Sequence, residues 1–125
     1  MIVRTYAAIA AGSVVGSLLR WGASLILPAW FGSEFPWDTL FVNLSGSFLI
    51  CYYAARFATA DPIAKAFMMS GVCGGYTTFS LLSLEMFNLL RFNAMVEALT
   101  YAALTIAGAL GSGWLGTAMG RRKIT

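Results

Sequence analysis

The chain has 125 residues, of which 59% are apolar and 10% charged, with a net charge of +3 and no histidine. A soluble domain carries about a quarter charged residues, so this chain is too poor in charge to cover a water-facing surface and reads as one built for lipid. The missing histidine removes the commonest metal ligand and general base, and the small positive excess calls for no nucleic acid.

About 20 apolar residues cross a bilayer as a helix, and four stretches qualify. The first runs from about Val3 to Leu27 and ends at Pro28. Its opening, MIVRTYAAIAAG, places Arg4 ahead of an apolar run as a secretory signal does. The run continues past a signal core and similar runs follow, so it reads as a retained span. The loop PAWFGSEFPWD carries Trp30 and Trp37, residues that favour the headgroup level. The second span runs from about Thr39 to Phe57. ATADP ends it and caps the next helix, because the residue before a proline avoids helix. The third runs from about Ala64 to Leu90 and the fourth from about Met95 to Met119, with RFN turning the chain between them. No repeat or second domain interrupts this pattern, so residues 1–125 read as a single four-helix transmembrane domain. Cys51 and Cys73 match no redox or zinc spacing and lie in apolar runs, where packing is their role.

The third span is chemically odd. SGVCGGYTTFS places three glycines and four Ser/Thr hydroxyls near its middle. Glycine there costs about 1 kcal/mol each relative to alanine. Two readings stay open: a glycine-rich packing face, or a helix broken near its middle whose freed carbonyls bind a cation. Gly12 and Gly16 form a GxxxG pair, as do Gly116 and Gly120. Four helices are too few to enclose a pore, so self-association or pairing with a relative is expected.

Four spans put both termini on one side. That side collects Arg4, Arg56, Lys65, Arg121, Arg122 and Lys123, against Arg20 and Arg91 on the other. Six against two places the termini in the cytoplasm, with the GRRK tail facing anionic lipid. Within the spans stand Arg20, Asn43 and Glu85. Intramembrane polar groups are expensive and mark a pathway or a partner; snorkelling and helix-to-helix hydrogen bonds are the structural alternatives.

A small anion crossing here must exchange water for donors. Asn43 offers two amide N–H groups, and Ser45, Ser47, Thr77, Thr78, Ser80 and Ser83 offer hydroxyls. Arg20 would concentrate anions at a vestibule. Phe79 offers the positive edge of its ring. Ser80 and Ser83 share one helical face, and Phe79 and Leu82 another. Donors with little formal charge suit an anion that must also leave. The chain carries no phosphate loop, nucleophile elbow or metal cluster, so an enzyme is not expected.

GSVVGSLLRW, DTLFVNLSGSFLI and GGYTTFSLLSLE together resemble the bacterial fluoride channel family, Fluc or CrcB, over nearly the whole chain. The resemblance implies an antiparallel dimer of four-helix subunits with two pores, passive and selective export of fluoride, and residence in the inner (plasma) membrane. It implies a structural sodium ion at the dimer centre, held by backbone carbonyls that fall on Gly74 and Thr77. The pore asparagine falls on Asn43, the vestibule arginine on Arg20 and the first pore phenylalanine on Phe79. Hydroxyls at Ser80 and Ser83 stand nearby, the glutamate falls on Glu85, and the pore-facing tyrosine of the fourth helix falls on Tyr101.

Three features depart from that pattern. The second pore phenylalanine is Leu82, which has no positive ring edge, and the fourth-helix serine after Gly108 is Ala109. The charge bias is too strong for a chain that inserts in both orientations. Two arrangements stay open: a homodimer that tolerates Leu82, or one subunit of a paired system whose own pore has decayed. Two other classes compete. A small multidrug exporter would need a first-span carboxylate, which is missing here, and a purely structural membrane subunit would not explain the clustered donors.

Overall fold

The computed structural model describes residues 1–122; Lys123, the last basic residue of the tail, lies outside them. The described residues form helix α1 (Ile2–Phe31), α2 (Trp37–Arg56), α3 (Pro62–Lys65), a π-helical segment (Ala66–Cys73), α4 (Gly74–Tyr76), α5 (Ser80–Arg91) and α6 (Met95–Gly120). The third predicted span is therefore the run from α3 to α5, and it is interrupted once, at residues 77–79.

The ends follow local chemistry. Asp61 caps α3 by accepting from the N–H groups of Ile63 at 2.9 Å and Ala64 at 3.2 Å, and Pro62 occupies the first helical position. At RFN the N–H of Ala94 donates to Leu89 O at 2.8 Å while Asn93 takes φ 58°, closing the last turn of α5. The first span corrects the expectation that it stops at Pro28. Proline removes one donor, but α1 continues one turn to Phe31. The Pro28 carbonyl still accepts from Gly32 N–H at 2.8 Å, and Gly32, at φ 83°, ends the helix in a backbone conformation that other residues adopt only with strain.

Two parallel helix pairs make the bundle. α1 runs alongside the π-helical segment and α4, and α2 runs alongside α6. Both contacts are made by backbone approaching backbone. A methyl on Gly12 would meet Gly71 Cα at 2.9 Å, and one on Gly116 would meet the backbone N of Tyr52 at 3.1 Å. Both GxxxG pairs are thus used inside the chain.

α1 and α6 are each long and apolar enough to cross a membrane. Their burial is inverted relative to a soluble helix. Gly12 and Gly16 are buried in α1, whereas Val14, Leu18, Trp21 and Leu25 point outward. In α6, Gly116 and Gly120 are buried while Leu99, Ile106, Leu110 and Trp114 are exposed. Water would penalise that arrangement and hydrocarbon does not. Trp30, in the last turn of α1, and Trp37, the first residue of α2, flank the connection between the two helices.

Candidate functional site

The site is built on the interruption between α4 and α5. Thr77 N–H still donates to Cys73 O at 3.0 Å, and its hydroxyl donates to the same carbonyl at 3.0 Å. Thr77 then turns extended, with φ −85° and ψ 160°. The next amide leaves the helix: Thr78 N–H donates to Asn43 Oδ1 at 2.8 Å, and Asn43 Nδ2 donates to Thr78 O at 3.0 Å. In a continuous α-helix Thr78 N–H would have closed on the carbonyl of Gly74. Leu81 N–H, which would have closed on the carbonyl of Thr77, donates instead to Thr78 Oγ1 at 3.2 Å. Each of the two carbonyls expected to face a cation therefore loses its α-helical donor to a side chain.

The glycines expected to cause the interruption precede it. Gly71 lies in the π-helical segment, Gly74 and Gly75 are helical, and Gly71 and Gly75 pack on α1. Packing face and helix break are both realised, in adjacent stretches.

α2 is the scaffold. Tyr76, Thr77 and Thr78 lie across Ser45, Gly46 and Asn43. The hydroxyls of Tyr76 and Ser45 are 2.8 Å apart, and Gly46 leaves room for the Thr77 methyl group. Beside this junction is a cavity of about 340 Å³ lined by Asn43, Ser47, Gly74, Thr77, Phe79, Leu82, Thr105 and Ala109 among others. Five predicted site residues thus meet at one place: Asn43, Gly74, Thr77, Phe79 and Leu82. Phe79 is 79% exposed, so most of its ring lies outside the single chain.

The donor inventory is smaller than the sequence suggests. One Asn43 N–H is occupied by Thr78 O, leaving the other free for a ligand. Ser45 donates to Phe41 O at 2.6 Å, Ser47 to Asn43 O at 2.7 Å and Ser83 to Phe79 O at 3.0 Å. A serine within a helix readily donates back to the carbonyl four residues before it, and these do. Ser80 and Ser83 are exposed and do not line the cavity at Asn43.

Glu85 and Tyr101 form a second cluster. Tyr101 OH donates to Glu85 Oε2 at 2.6 Å, and Thr39 Oγ1 donates to Glu85 Oε1 at 2.7 Å. Tyr101 is fully buried, with Phe35 edge-on to its ring at 5.5 Å. One carboxylate thereby ties α2, α5 and α6 together. Glu85 also borders an outer pocket of about 560 Å³ lined by Glu34, Asp38 and Asn88. Arg20 lies in a pocket of about 210 Å³ with Ser17, Ser24 and Asp38, which meets the Glu85 cluster at Thr39 and does not reach the cavity at Asn43.

Two residues escaped the sequence reading. Thr39 precedes Asn43 by one helical turn, and that spacing was the available signal. Thr105 lies one turn beyond Tyr101 and one turn before Ala109. It lines the Asn43 cavity, and its Oγ1 is buried without a hydrogen-bond partner.

Residues 7–117 match the family model described as CrcB-like protein, Camphor Resistance (CrcB). A protein of Rhodopseudomonas palustris named fluoride-specific ion channel FluC 1 is 44% identical over 116 residues, covering 89% of this chain and 82% of that protein. The fluoride-specific ion channel FluC of Nitrobacter winogradskyi is 39% identical over 84% of this chain and 86% of its own. That of Leptospira interrogans is 41% identical over 89% and 90%.

Proposed function

The chain belongs to the CrcB family, and on that premise we propose that it is a fluoride-specific ion channel of the inner membrane, with cytoplasmic termini, that lets fluoride leave the cell passively. It is not an enzyme. The observation that carries the reading is the Asn43–Thr78 pair, which opens the third span beside a cavity with few charges. Arg20 raises the local anion concentration at its pocket. At the cavity, fluoride meets the free N–H of Asn43 and the ring edge of Phe79. Each is a donor without formal charge, so the ion is held loosely enough to move on.

The freed carbonyls of Gly74 and Thr77 fit a hard cation, being neutral oxygens with no carboxylate among them. They would hold a structural sodium ion, whose positive charge supplies an electrostatic bond between subunits. Two carbonyls do not complete a coordination shell, so a second chain contributes the rest. The exposed Phe79 and the interrupted backbone also need cover. Bare backbone cannot face hydrocarbon, and a second subunit running antiparallel would shield it.

A paired system of two different subunits is the second reading. The basic residues at one end of the bundle favour a single orientation. Leu82 and Ala109 give the Asn43 cavity an apolar wall where a ring edge and a hydroxyl are expected. The deciding experiment is fluoride efflux from liposomes loaded with potassium fluoride, using the chain purified alone and a chloride control. Fast fluoride release without chloride release establishes a self-sufficient channel. No release from folded, inserted protein points to a partner subunit, tested by co-expression with an oppositely oriented relative.

A further inference from the structure

We infer that Tyr76 is a positioning residue, whose hydrogen bond to Ser45 holds the upstream lip of the helix break on α2 as Asn43 holds the downstream lip. The direction of the bond follows from its neighbours. Ser45 has one hydroxyl proton and donates it to Phe41 O at 2.6 Å. The 2.8 Å contact between Ser45 Oγ and Tyr76 OH is therefore a bond that Tyr76 donates.

On its other side the lip is held by α1, where Gly16 and Gly75 bring backbone against backbone, and α4 ends the helical run that begins at Pro62. Toward α2 the helix stops at Tyr76 and Thr77 is already extended, so the Tyr76 hydroxyl is the tie on that side. Beside the Tyr76 ring is a space of about 230 Å³ between α1, α2 and the third span, lined by Leu19, Ala23, Phe41 and Cys73 among others. The ring is buried and borders this space, so the bond to Ser45 adds direction to what packing supplies. Tyr76 is also continuous with both carbonyl-bearing residues, two positions after Gly74 and one before Thr77. Losing the bond lets both carbonyls and the start of the break drift relative to Asn43.

The test is amide hydrogen exchange across all spans, read beside fluoride efflux, for Tyr76→Phe, Ser45→Ala and Ser45→Thr. Ser45 also lines a groove of about 650 Å³, which leaves room for the added methyl of threonine. Tyr76→Phe and Ser45→Ala should each speed exchange of the amides at 77–80 about fivefold, the effect of one ordinary hydrogen bond. Exchange in α1 and α6 should stay unchanged, and Ser45→Thr should exchange as the parent does. A uniform rise across all helices would mean a merely structural role and overturn the inference. So would unchanged exchange at the break, or identical behaviour of Ser45→Ala and Ser45→Thr. The serine pair decides the question even where Tyr76→Phe does not fold. The inference deepens the channel reading but fails separately from it: a parent chain without flux whose variants exchange as expected sinks the channel and leaves the positioning role standing.

Discussion

Asn43 and Thr78 are joined by two hydrogen bonds, 3.0 Å from the side-chain amide to the carbonyl and 2.8 Å from the backbone N–H to the side-chain oxygen. One side chain thereby replaces the helical partners of a residue in another span. Asn43→Ala leaves a part-buried donor and acceptor unpaired, which should lower stability by about 2–4 kcal/mol. Unfolding in detergent measures this, and fluoride efflux should be lost with it. Asn43→Asp keeps the acceptor for Thr78 N–H but removes the donor and adds a charge that repels fluoride. It should keep more stability than Asn43→Ala while conducting no better.

Two glycines of α1 separate packing from propensity. Gly12→Ala drives a methyl into the backbone of the third span, 2.9 Å from Gly71 Cα, and should cost about 1–3 kcal/mol. Gly22→Ala meets nothing within 4 Å and should be neutral or stabilise by up to about 1 kcal/mol. Equal effects in the two variants would contradict the close approach of α1 to the third span.

Glu85 accepts from two hydroxyls on two other helices. Glu85→Ala strands both and should destabilise by about 2–4 kcal/mol, whereas Glu85→Gln keeps one acceptor oxygen and should cost about 1 kcal/mol. The double variant Glu85→Ala with Tyr101→Phe should be less destabilised than the sum of the singles, since both remove the 2.6 Å bond. Unfolding curves for the four proteins of the cycle test this, and simple additivity would count against the cluster.

If sodium is held by the carbonyls of Gly74 and Thr77, it stabilises only the assembled form. Each tenfold rise in sodium beyond its dissociation constant should add about 1.4 kcal/mol to the stability of the assembly. Potassium should add far less. Melting in detergent across a sodium series, with subunit mass followed in parallel, measures both effects. A flat series would remove sodium from the account.

Leu82 and Ala109 border the cavity at Asn43 without contributing a donor. Leu82→Phe with Ala109→Ser restores a ring edge and a hydroxyl there. Fluoride efflux should rise about fivefold, as for one added hydrogen bond of ordinary strength, with chloride still excluded. Unchanged flux would locate the limiting step elsewhere in the chain.

Much of this fold is legible in the sequence: the helices follow the apolar stretches separated by PAWFGSEFPWD, ATADP and RFN, and two of them, α1 and α6, are long and apolar enough to cross a membrane. The interruption of the third span was legible from its glycines and hydroxyls, but its cause was not. Gly71, Gly74 and Gly75 remain helical, and the helix opens only where Asn43, more than thirty residues earlier in the chain, captures Thr78. A contact between distant residues leaves no local trace. Pro28 misled for a related reason: losing one hydrogen bond does not end a helix whose next turn is closed by Gly32. The donor set was overread because composition counts hydroxyls without saying which already face a carbonyl of their own helix. Thr105 was passed over because a lone threonine in an apolar run carries no signal until its neighbours are placed.

The pairing of helices has a consequence for how the chain is made. α1 rests chiefly on the third span and α2 chiefly on α6, so neither of the first two helices finds its main neighbour in the other. A ribosome that has released α1 and α2 into the bilayer has delivered two halves of different pairs. The first glycine seam closes only when residues 66–76 emerge, and the second only with the last helix. Chains truncated after α2 should therefore be cleared by membrane quality control, and commitment to the native bundle waits for the final span.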